Sequence, residues 1–111
     1  MAGWLTEDWR VANPRRLAQI RAMVLANDAA GCVGCCEALK GLDYLGQAGA
    51  MDRPVPCLGG AEDRGAAPEV MGAMAAATPG ARHVVIPGAA HVANINAPGA
   101  LNRAVAEFLG L

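Results

Sequence analysis

The chain contains no serine, which excludes a serine nucleophile drawn from its own 111 residues. Aromatic side chains are scarce at 4%, so the 54% apolar content, much of it alanine, carries less core volume than it suggests. Neither sign of charge dominates. Nine Lys and Arg against ten Asp and Glu leave a net charge of −1, which gives no electrostatic case for binding nucleic acid or an anionic membrane. No apolar run approaches the roughly 20 residues of a membrane span. Residues 1–8 hold neither the basic n-region nor the apolar h-region of a secretory signal. Four cysteines in that setting read as reduced thiols rather than a disulfide framework. A globular, cytoplasmic protein is the expectation, with a prior of one domain or a piece of one.

Helical spacing organises the first 40 residues. Asn13-Pro14 reads as an N-cap followed by proline at N1, where a missing N–H costs nothing. Leu17, Ile20, Met23 and Val24 then recur on one face as far as about Ala26, with Arg15 and Arg16 off that stripe on a solvated face. Asn27-Asp28 ends this helix and caps a second, whose stripe is Cys32, Cys35, Cys36 and Leu39. Trp4 and Trp9 lie just ahead of the pair.

After Tyr44 the composition shifts to a small, polar connector in which residues 45–50 have room for one helical turn. Residues 54–58 read as a short strand, although Pro56 cannot donate to a ladder. Pro68 starts a helix with Val70, Met71 and Met74 on its apolar side. Residues 82–86 form the second strand. Asn96 is placed to cap a final helix with Pro98 in its first turn and Leu101, Val105, Phe108 and Leu109 facing inward. The order strand, helix, strand, helix implies parallel strands joined by a crossover. Two such strands do not make a stable sheet alone, so an α/β domain incomplete in itself is expected, completed by more chain or by a partner.

The chemistry concentrates at two strand ends. Val84-Val85-Ile86 is cut off by Pro87-Gly88, and His91 follows in the loop to the last helix. Cys57-Leu58 is broken by Gly59-Gly60, and Asp63 follows in the equivalent place. Open α/β sheets bind ligands at that rim. Neighbouring strands would bring the carboxylate to the imidazole, fixing its tautomer and stabilising its protonated form. Taken singly, His91 reads as a histidine leading into a helix and Asp63 as a loop carboxylate; the pair points to a general base with its orienting acid. Glu62 is the adjacent alternative acid, and His83 reads as exposed.

The cysteines offer a competing chemistry. Cys32-x-x-Cys35-Cys36 lies along a helix stripe, not at the strand-to-helix turn of a redox motif. Zinc would need four placed ligands, and the remaining thiol, Cys57, is in a strand. They are expected as small buried hydrophobes, so neither a metal nor another cofactor is expected.

These residues together resemble a known family. The stretches Gly3-Trp4-Leu5-Thr6, residues 20–28, residues 31–39, Gly60-Ala61-Glu62-Asp63 and residues 88–94 are similar to the C-terminal part of α/β-hydrolase fold enzymes. The cysteine-bearing helix and the Ala22-Met23-Val24-Leu25-Ala26 run before it point within them to the 3-oxoadipate enol-lactonases. The resemblance implies that residues 1–46 are a helical cap segment and residues 47–111 the last two strand–helix units of the catalytic domain. Asp63 would be the acid and His91 the base of a Ser-Asp-His triad, with Trp4 facing the substrate. The family order puts the serine before residue 1. The implied substrate is a small lactone or ester, in the β-ketoadipate route of aromatic catabolism. An arginine close to Trp4 would pair a substrate carboxylate, but Ala2 and Gly3 occupy the preceding positions. The chain alone is expected to be inactive. The partners this allows are a chain carrying the nucleophile, or self-association through an open sheet edge. Two other readings stand beside it: a non-catalytic remnant acting as an interaction module, and an esterase of another substrate class.

Overall fold

The computed structural model describes residues 2–111. Three helices come first: α1 (Glu7–Ala12), α2 (Pro14–Leu25) and α3 (Ala29–Lys40). A 3₁₀ turn at Leu45–Ala50 leads to β1 (Pro56–Gly60), α4 (Pro68–Ala77), β2 (Arg82–Ile86), the single turn α5 (Ala93–Asn96) and α6 (Pro98–Leu109). The pattern therefore foretold the order of elements. It missed only α1 and α5, which are too short to show a period.

Local chemistry explains most of the boundaries. Asp28 caps α3, its carboxylate accepting the Gly31 amide at 2.6 Å. Proline opens α2, α4 and α6 in the first turn, and Gly110, at φ 74°, takes the chain out of α6. Two expected caps differ. Asn13 stands at the start of α2, but its side chain turns back to donate to the Trp9 carbonyl at 2.9 Å. Asn96 does not cap α6; Ala97 occupies that position, and the Asn96 amide is engaged elsewhere.

β1 and β2 pair in parallel, with Pro56 opposite Arg82 and Gly60 opposite Ile86. β1 begins two residues later than its apolar run implies. That resolves the difficulty with Pro56, since as first residue of the strand its missing N–H breaks no ladder. The carbonyl of Val55 accepts the Arg82 amide instead. Helix α4 spans the crossover and packs on β1. Gly59 makes room there, because a β-carbon at that position would lie 3.1 Å from Met71 Cγ.

Among the described residues the sheet has these two strands alone, and the buried apolar residues are few: Leu5, Cys57, Ile86, Ala89 and Ala90. The radius of gyration is 15.8 Å, against about 13 Å for a compact chain of this length. Several apolar faces are consequently bare. Leu109 on α6 and Val70 and Met74 on α4 are exposed, contrary to the inward placement their spacing implies. Cys32, Cys35 and Cys36 are exposed as well. Their spacing implies burial as small hydrophobes, but among the described residues nothing covers them. No single helix among the described residues is long and apolar enough to cross a membrane; α2 and α3 together are, but they meet at 84°.

Candidate active site

The two loops beyond the strand ends are laced together by main-chain bonds. Ala61 donates to the Ile86 carbonyl at 3.0 Å and Glu62 to the Ala89 carbonyl at 2.9 Å. Gly60 allows this approach. A β-carbon there would run into the carbonyl oxygens of both Ala89 and Ala90, a collision with backbone that no rotamer relieves. The sequence Gly59-Gly60 thus does more than end a strand.

That lacing sets Asp63 against His91, with Asp63 Oδ2 2.9 Å from His91 Nδ1. The other carboxylate oxygen, Oδ1, accepts the Gly65 amide at 2.8 Å and the Ala66 amide at 3.0 Å. Gly65 packs close to both side chains, its β-position 3.6 Å from His91 Nδ1. Burial pushes the Asp63 carboxyl up, but the Ala66 amide, the His91 ring and the Gly65 amide together outweigh it, and the group is held below its ordinary value. Asp63 is therefore ionised at neutral pH and accepts a proton-bearing Nδ1, which leaves Nε2 as the free, basic nitrogen.

Exposure divides the pair by role. The Asp63 side chain is 5% exposed and that of His91 49%, so the carboxylate is sealed in the protein while the imidazole opens to an incoming group. Glu62 is exposed and contributes only its amide to the lacing, so the carboxylate that meets the histidine is Asp63. His83 is exposed on β2, beside Gly72 of α4.

Two cavities flank the turn at residues 4–6, next to the histidine. One, of about 640 Å³, lies between α1 and the Asp63 loop and is lined by Glu7, Glu62 and Glu69 as well as Arg10 and Arg64. The other, of about 350 Å³, lies between α2 and the loop after His91; Trp4, Ile20, Met23, Val92 and Ile95 make it apolar, and Arg16 stands in its lining. The smaller cavity is the more apolar, with one cation in its lining, and Asp63 itself lines the larger. Trp4, 42% exposed, is thus in the wall of a cleft that Val92, the residue after His91, also lines. Arg16 is exposed, as its position off the apolar stripe implies, yet it supplies the positive charge near Trp4 that residues 2 and 3 lack.

Two further residues escape a linear reading. Asn96 Oδ1 accepts the amides of Ala90 at 3.2 Å and Thr6 at 3.3 Å, and Asn96 Nδ2 donates to Thr6 Oγ1 at 2.9 Å. Nothing local betrays these bonds, two of which span 90 residues of sequence. The buried cysteine stays apart from the site. Cys57 lies three residues before the end of β1, about 10 Å from that rim at strand rise. Among the described residues no three His, Cys, Asp or Glu side chains gather as a metal site requires.

Comparison with solved structures finds this fold in the enol-lactonase from Burkholderia xenovorans LB400, with a TM-score of 0.93 and 31% identity over 98% of this chain and 42% of that one. A hydrolase from Pseudomonas aeruginosa PA01 gives a TM-score of 0.89 and 30% identity over 98% of this chain and 41% of its own. The chain spans about two-fifths of the length of each. No protein-family model matches the chain, and no curated protein does.

Proposed function

The chain carries the C-terminal portion of an α/β-hydrolase fold, and we propose that within it His91 and Asp63 serve as base and orienting acid of a carboxylic-ester or lactone hydrolase of the enol-lactonase kind. The 2.9 Å contact between Asp63 Oδ2 and His91 Nδ1 carries this reading, because it occupies Nδ1 and leaves Nε2 to meet an incoming group on a half-exposed side chain.

In the reaction, His91 Nε2 takes the hydroxyl proton of a serine as that oxygen attacks the acyl carbon, and buried Asp63 stabilises the imidazolium. The imidazolium then protonates the leaving oxygen. A second cycle, with water in place of serine, releases the acid. The serine comes from the remaining three-fifths of a hydrolase fold, on the same polypeptide or on a partner. The open edges of the two-stranded sheet and the bare faces of α3, α4 and α6 are where that portion packs. Trp4 borders the substrate, and Arg16 pairs a carboxylate on it.

Grafting residues 2–111 in place of the matched portion of the Burkholderia enol-lactonase tests the proposal. Hydrolysis of a carboxylate-bearing enol-lactone by the purified chimera supports it, and hydrolysis of neutral esters alone shifts the substrate class. A folded chimera that hydrolyses neither sinks it. The alternative, a remnant acting as an interaction module, draws on the same bare faces and predicts that last outcome.

A further inference from the structure

His91 is anchored through its neighbours as well as its ring. Ala90, immediately before it, is 3% exposed and gives its amide to Asn96 Oδ1. Val92, immediately after it, gives its amide to the Trp4 carbonyl at 2.9 Å. Both bonds lead to the same place, the turn at residues 4–6, in which Leu5 is 1% exposed and Thr6 is buried. Asn96 completes the tie, accepting the Thr6 amide and donating to the Thr6 hydroxyl. One side-chain amide thereby uses its acceptor twice and its donor once, across two segments 90 residues apart.

We infer that Asn96 is a positioning residue for the base: it fixes the peptide on which His91 stands to the turn that carries Trp4, so that the ring meets Asp63 in one orientation. The geometry calls for one acceptor that reaches two amides which no other side-chain oxygen among the described residues meets, and for a second polar atom on the same group to pair with the Thr6 hydroxyl. Loss of the tie would leave the buried Ala90 amide unpaired and free the loop to turn the imidazole away from Asp63 Oδ2. The catalytic meaning of the device rests on the role proposed for His91; the device itself does not.

The test uses the chain without any nucleophile, so it can fail or succeed apart from the hydrolase reading. Ring ¹⁵N spectra report the tautomers of His91, with His83 as internal control, and amide exchange reports Ala90 and Val92. Wild type should show the Nδ1–H form of His91. Asn96→Ala should mix the tautomers and speed exchange at both amides more than tenfold, with His83 unmoved. Asn96→Asp, which keeps the acceptor and can take a hydrogen bond from the Thr6 hydroxyl, should restore most of the Nδ1–H form. A wild-type tautomer ratio in folded Asn96→Ala, or an Asn96→Asp as perturbed as the alanine variant, overturns the inference. Should Asn96→Ala not fold, Thr6→Val decides: a mixed tautomer supports the tie, and an unchanged ratio refutes it.

Discussion

Gly60 lies so close under the Ala89 carbonyl that a β-carbon has no place between them. This approach allows the acid loop and the base loop to exchange main-chain bonds, and so fixes where Asp63 meets His91. Gly60→Ala is expected to lose about 1–3 kcal/mol of stability through overpacking and to break the Asp63–His91 contact. Gly59→Ala should cost less, because the nearest obstacle is the flexible Met71 side chain. Urea denaturation of both variants checks the order; equal losses would mean that the two glycines serve only the strand.

Asp63 links the site to pH. Its folded-state pKa lies below the ordinary 3.8, so the folded chain binds fewer protons there than the unfolded chain does. Its stabilisation is full above the unfolded-state value and disappears as pH falls through the lower folded-state value. The stability difference between wild type and Asp63→Asn should therefore be constant around neutrality and shrink in strong acid, below about pH 4. Denaturation curves at several pH values measure it, and a gap that persists undiminished in strong acid contradicts the assignment.

The thiols give a test of the exposed face on α3. Cys32, Cys35 and Cys36 are exposed and Cys57 is buried in β1. A thiol reagent should titrate three groups rapidly in the native chain and the fourth only after unfolding. Protection of the three helical thiols in the chimera would show that the grafted portion covers this face.

How much of this was legible in the sequence depends on whether the information was local. β2 was readable to the residue because a β-branched run stops at Pro87-Gly88. Asp63 and His91 were readable because both follow apolar runs broken by glycine. The apolar run from Pro54 set the start of β1 two residues too early; the strand begins at Pro56, where a missing N–H breaks no ladder. The period of Cys32, Cys35, Cys36 and Leu39 recorded correctly that the face is apolar; periodicity does not say which atoms cover it. Asn96 was misread as a cap because Asn ahead of a proline-bearing helix is a local signal, whereas two of its bonds run to Thr6, 90 residues away.

Arg16 offers a test of substrate charge. In the chimera, Arg16→Gln should raise KM for a carboxylate-bearing lactone about 10- to 100-fold, the worth of a charge-assisted hydrogen bond. It should leave neutral esters nearly unchanged. A similar penalty on both substrates would make Arg16 structural.

The most direct test is the activity of the chimera carrying His91→Ala. As the base of a Ser-Asp-His triad, His91 should be worth at least about a thousandfold in kcat, leaving the residual rate expected from the oxyanion hole and binding alone. Parallel circular dichroism would establish that the fold survives. A folded His91→Ala chimera within tenfold of the parent rate would show that the imidazole beside Asp63 is not the base.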